Sequence, residues 1–179
     1  MLRVTAANVA QARTIKPLYA APGQATPYAC TLESAWGRLV DIYPGMVMTK
    51  LDGENVTLFG GAGGTAANHK VFGLSAMFVA PVLGIDELTP TGTNNFAVWV
   101  GGNQGVFEVD APAFATTASW SVAVAGEKIP LRVTIGAHAS GIGKLTPEAS
   151  GATVSVEIAA YLIKVVSTTQ IIVSLEHSA

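Results

Sequence analysis

The sequence predicts an all-β protein, a small β-barrel or sandwich with an extended N-terminal arm, and three observations carry that reading. From Tyr43 onward, short runs of β-branched and aromatic residues alternate with glycine-bearing turns, as in SWSVAVAG and ATVSVEIAAYLIKVV. Ahead of them, prolines stand at 17, 22 and 27, too close together for a helix interior or a central strand. Half of the 179 residues are hydrophobic, only 12% are charged and the formal net charge is −2. A freely soluble domain carries about a quarter of its residues as charges, so much of this surface is expected to be covered by another molecule.

Residues 1–42 read as the arm and residues 43–179 as the β-rich domain. Proline lowers the entropy lost when such an arm orders, and Tyr19 and Tyr28, set among the prolines, offer broad amphipathic contact. Trp36, in ESAWGRLVD, belongs to the same set, because tryptophan is enriched where interfaces concentrate their energy. That piece is a short helical turn or an irregular strand, and Gly37 weakens a helix there.

The first hairpin pairs 46–51 with 55–59 across the Asp52-Gly53 turn. Further strands are expected at 71–79, 95–100 and 105–109, the last two joined by the glycine-rich GGNQG. Then come 119–124, 131–135, 153–166 and 170–175. In the long strand, Val154, Val156, Ile158 and Ala160 occupy one face and Ser155, Glu157 and Ala159 the other. Helical content is expected to be low. The final run, IIVSL, is a pairing hazard if it forms a sheet edge, which makes Ile171 and Val173 candidate interface residues alongside Tyr19, Tyr28 and Trp36. Trp99 and Trp120 sit in alternating patterns and are expected in the core.

Chemistry finds little purchase. Cys30 is alone, which excludes an intrachain disulfide, and His69, His138 and His177 are scattered without metal-ligand spacing. His138 and Ser140 lie two residues apart on a glycine-rich loop with no orienting acid in view, so they make a poor base and nucleophile. In VTLFGGAGGTAANHK the glycines at 60, 61, 63 and 64 invite a phosphate-binding reading, but the third position of a dinucleotide fingerprint falls on Ala66. Lys70 lacks the G-K-[ST] context of a Walker loop. Asp86, Glu87 and Asp110 read as solvated turn carboxylates rather than a calcium site. No catalytic, cofactor-binding or metal residue is therefore assigned, and no cofactor or enzymatic activity is expected.

Ten dispersed basic residues and an acidic balance argue against direct nucleic-acid binding. No membrane partner is expected either, because VFGLSAMFVAPVLGI is interrupted by Gly73, Pro81 and Gly84 well short of the ~20 residues a span requires. The first 20 residues lack the apolar run of a signal peptide, which fits a chain working inside a cell or in a particle assembled there.

Five segments carry a resemblance: YPGMVM at 43–48, DGENVTLFGG at 52–61, VFGLSAMFVAP at 71–81, PLRV at 130–133 and GIGKLTPEASG at 141–151. With the extended segment ahead of them, they resemble the capsid decoration, or cement, proteins of tailed bacteriophages. The stretch from AVWVGG to SVAVAG departs from the pattern. The resemblance implies a structural protein on the outer surface of the capsid in the virion, with the major capsid protein as partner. It also implies a homotrimer that bridges and stabilises neighbouring capsid subunits. Two alternatives remain at this point: a tail-tube or other virion subunit, and a carbohydrate-binding β-module using Trp99 with Asn103 and Gln104.

Overall fold

Two sheets of unlike design share one core. The structure, a computed structural model, describes residues 15–19, 25–33, 40–60, 70–79, 96–101, 105–120 and 128–175. Among these there are eleven strands and no helix, which bears out the all-β expectation. Strands β2 (Ala25–Leu32), β3 (Val47–Lys50), β4 (Asn55–Leu58), β5 (Val71–Ser75) and β6 (Phe96–Gly101) close a barrel in the order β2-β4-β3-β5-β6. The other six are β1 (Ile15–Tyr19), β7 (Gly105–Asp110), β8 (Ile129–Thr134), β9 (Leu145–Thr146), β10 (Val154–Ser167) and β11 (Gln170–Leu175). They form an open sheet ordered β1-β7-β11-β10-β8-β9. Every pairing is antiparallel except β2 with β4.

The hairpin of β3 and β4 is set by its turn. Gly53 takes φ +46°, a conformation that side chains resist, and the Asn55 amide and side chain both donate to Asp52, each at 2.7 Å. Just upstream, Pro44 and Gly45 (φ +98°) occupy the middle of a type II turn closed by the Met46 amide on the Tyr43 carbonyl. YPGMVM is thus a turn that leads into a strand buried over its first three residues; Met46, just ahead of it, and Val47 and Met48 are all at 0% exposure.

The proline-rich stretch is extended, as expected, but its described part is woven into the chain's own sheets. β1 pairs with β7, and β2 pairs with β6 along its length and with β4 only at Thr31 and Leu32. Pro17 and Pro27 are tolerated because each sits where, among the described residues, one side of the strand has no ladder partner: Pro17 on edge strand β1, and Pro27 on the part of β2 beyond its pairing with β4. At the other end of this stretch, Ile42 bridges Val79.

Three further expectations meet the structure differently. β5 stops at Ser75, whose hydroxyl donates to the Met77 carbonyl and accepts the Met77 amide, taking the backbone out of the ladder. β6 and β7 are consecutive but belong to different sheets, and Trp99 meets Phe107 across the change with ring centroids 5.5 Å apart. Trp120 lies outside any strand. Its indole donates to the Ala115 carbonyl at 2.8 Å and its ring packs edge-on against Phe114. Most of the strand expected at 119–124 falls outside the described residues.

The core runs without interruption from the barrel, through Phe59, Phe96 and Leu74, to the open sheet, through Phe107, Leu131, Ile171 and Val173. Two glycines permit close approaches, Gly73 within the barrel and Gly143 between the two sheets. A Cβ on Gly73 would land on the Trp99 carbonyl, and one on Gly143 (φ +73°) would overlap the Leu58 side chain. Gly73→Ala must separate β5 from β6, and we expect it to lower unfolding free energy by about 3 kcal/mol or more. The opposite sign is expected at Thr57, whose buried hydroxyl has no hydrogen-bond partner: Thr57→Val should stabilise by about 1 kcal/mol. Urea denaturation of both variants checks the pair; a neutral Gly73→Ala contradicts the close approach, and a destabilising Thr57→Val contradicts the orphaned hydroxyl.

Candidate contact surface

Strand β10 is the longest among the described residues, at 14 residues, and it breaks the alternation its sequence announces. Of the four residues expected on one apolar face, Val154 and Ala160 are buried, whereas Val156 is 73% exposed and Ile158 41%. Ser155 and Ala159, expected on the opposite face, are buried too. The cause is a series of bulges. Leu162 pairs with Val173 and Lys164 with Ile172, so Ile163 is an extra residue with no partner on β11. Val165 pairs with Ile171 and Ser167 with Gln170, which leaves Val166 extra in the same way. On the β8 side, Val154 to Ile158 spans only Thr134 to Arg132, and Val156 lies in that irregular stretch. Each inserted residue reverses the facing of the residues after it. The result is an apolar row held in solvent: Val156, Ile158, Ile163 at 50% and Val166 at 45%.

Register extends this row into a surface. On β7 the side chains of Phe107 and Val109 point into the core, so Glu108 points away from it. Residues directly opposite one another share a face, which places Lys16 of β1, Glu108 of β7, Ile172 of β11 and Lys164 of β10 in one outward line. A second line joins Val106, Ser174, Tyr161 and Pro130, and a third pairs Ile158 with Arg132. Lys128 stands 5.8 Å from the Tyr161 ring, the Arg132 guanidinium donates to the Val156 carbonyl, and Gln170 donates to Asp110 at 3.0 Å. At the rim, Lys70, just ahead of β5 in the barrel, grips Glu157 at 2.6 Å.

The residues expected at an interface are dispersed. Ile171 and Val173 are fully buried, because β11 is a central strand flanked by β7 and β10 rather than an edge; their place is the core. Tyr28 is 41% exposed on the barrel wall, edge-on to Phe72 at 5.8 Å, with Lys50 over both rings. Its hydroxyl donates to Glu54, and that bond raises the phenol above its usual range. Tyr19 lies on β1 opposite Val106, and Trp36 falls outside the described residues. The outward residues of β10 were missed for want of any signal of the bulges in a strand that alternates so regularly.

Reactive groups are held in structural roles. His138, with a side chain only 6% exposed, has both ring nitrogens engaged: Nδ1 accepts the Ser140 amide and Nε2 faces Glu148, each at 3.0 Å. The acid that sequence reasoning did not find is thus Glu148. Even so, the Ser140 hydroxyl bonds Thr117 instead of the imidazole, so His138 and Ser140 do not form a base and nucleophile pair. Among the described residues no group of three metal-ligating side chains converges, and Asp110 holds Gln170. Trp99 is half-buried against Phe107, while Asn103, Gln104, Asp86, Glu87, His69, His177 and the glycines at 61, 63 and 64 lie outside the described residues.

Burial, with Glu54 adding to it, pushes the Cys30 thiol up to about 11. Roughly one thiol in a thousand is then ionised at about pH 8, and the residue is 1% exposed. Iodoacetamide should leave the native protein unmodified over hours and label it within minutes in denaturant; mass spectrometry showing rapid native labelling contradicts this burial.

A family model described as phage cement protein matches residues 1–179. No curated protein matches the chain. No solved structure matches it either.

Proposed function

The chain belongs to the phage cement protein family, whose model spans all of it, and from that premise we propose that it acts as a homotrimer bridging neighbouring major capsid subunits. Membership makes it a structural protein of the virion that decorates the outer surface of the capsid and associates with capsid subunits. The observation that carries the bridging reading is the apolar row on β10, four β-branched side chains held outward by bulges. Leaving such residues in water forgoes about 25 cal/mol for every Å² of apolar surface, a loss that burial against a partner recovers.

Composition supports the trimer. With 12% charged residues, the chain carries few charges for a free monomer, and a bridging subunit must bury area against the shell and against its own copies. Tyr28 is the barrel's contribution to this proposal. Pre-ordered by Phe72, Lys50 and Glu54, it loses little side-chain freedom on contact. A role without catalysis belongs to the same reading, since His138, the histidine among the described residues, uses both nitrogens to pin its loop.

Light scattering of the purified protein tests the assembly, and mixing with undecorated shells of the cognate phage tests the partner. We expect a mass three times the 18.4 kDa chain and co-sedimentation with the shells. A monomer, or a ring of six, overturns the trimer; failure to bind shells overturns the bridging role.

A further inference from the structure

We propose that the outward face of the six-stranded sheet is the side that meets the capsid, and that its counterpart is a shell surface with an apolar centre and carboxylates around it. This inference rests on the cement reading and adds which side is used and what chemistry it seeks.

The bulge residues Ile163 and Val166 supply the apolar centre, one on either side of Lys164. Around them the charges are unbalanced. Among the described residues this face carries four cations, Lys16, Lys128, Arg132 and Lys164, against Glu108 and Asp110. It therefore stands at +2 (four minus two) in a chain whose formal net charge is −2. Glu157, nearest the upper end of the row, is already paired with Lys70.

That imbalance selects the occupant. Two copies of this chain meeting through the same face would set like charges against one another around the apolar centre, which disfavours self-association there. A shell surface bearing carboxylates gains from the same arrangement, both in rate of encounter and in register. Nucleic acid would meet the cations but leave Ile163 and Val166 with nothing to pack against.

The test uses the full chain and undecorated shells of the cognate phage, with co-sedimentation measured from about 50 to about 500 mM salt. Wild-type binding should weaken as salt rises. The double variant Lys16→Glu/Lys164→Glu should bind about tenfold or more weakly at low salt and lose most of that salt dependence. Ile163→Glu should bind poorly at every salt concentration, because a charge replaces the apolar centre. Thermal midpoints close to wild type establish that these surface changes leave the fold intact. Should a strand variant melt early, Lys128→Glu, exposed and ahead of β8, carries the same charge test. If wild type and all variants bind shells alike, this face is not the contact while the cement reading stands. If wild type ignores the shells, the cement reading itself falls, and retention of short duplex DNA by a protein that ignores shells overturns both.

Discussion

The joint between barrel and open sheet is the constraint on which the rest of the molecule depends. It is made by a loop lying on a hairpin: the Gly143 carbonyl accepts the Val47 amide at 2.8 Å, and the absence of a side chain at 143 lets Leu58 fill the space above it. Neither sheet encloses a full core alone. The five short strands of the barrel bury their inner residues against one another, but Phe59 and Leu58 also need the open sheet, whose Leu131 and Val133 need the barrel in return. The loop is braced from its far side by His138, which links the Ser140 amide to Glu148, while Ser140 reaches Thr117. GIGKLT is therefore a structural motif: two glycines with positive φ, at 141 and 143, bend the chain so that the Gly143 carbonyl helps dock one sheet on the other.

One face of the open sheet is committed to that joint, and the other displays Val156, Ile158, Ile163 and Val166 to solvent. β10 shows how the sequence uses the difference. Val154, Ala160 and Leu162 serve the core, and the residues inserted between paired positions are turned out. A strand with strict alternation and these same residues would bury Val156 and Ile158; the bulges display them instead. The inserted positions hold Ile163 and Val166, apolar where a solvated surface would favour polar residues, and this marks the irregularity as part of the surface's design.

The hairpin of β3 and β4 was legible because its turn chemistry is local: Asp52, Gly53 and Asn55 close the turn from within a few residues. β11 was located correctly as an element, yet its position in the sheet was not, because centrality depends on where β7 and β10 lie and no property of QIIVSL encodes that. The same limit separates Tyr28, legible as an exposed aromatic among prolines, from Ile171 and Val173, whose apolar character serves a core as well as an interface. The parity of β10 failed for a different reason. A bulge is set by the mismatch in length and twist between two partners, and a single strand's sequence records only its own half of that mismatch.

The edges of the two sheets limit the ways in which a charge-poor chain can aggregate. Closure leaves the barrel only short unpaired stretches, such as the part of β2 beyond its two-residue pairing with β4. At one side of the open sheet, β1 presents Lys16 and Pro17, a charge and a residue with no amide to donate; at the other, β9 is only two residues long. The aggregation-prone run in β11 is sealed between neighbours. Backbone pairing, which propagates without limit once it starts, is thus blocked where it is most dangerous. What remains adhesive is a side-chain face, and a face of fixed shape with cations around an apolar centre is satisfied by one complementary surface and then has nothing further to offer. For a subunit that must coat a particle at defined positions, that limit matters as much as the affinity itself.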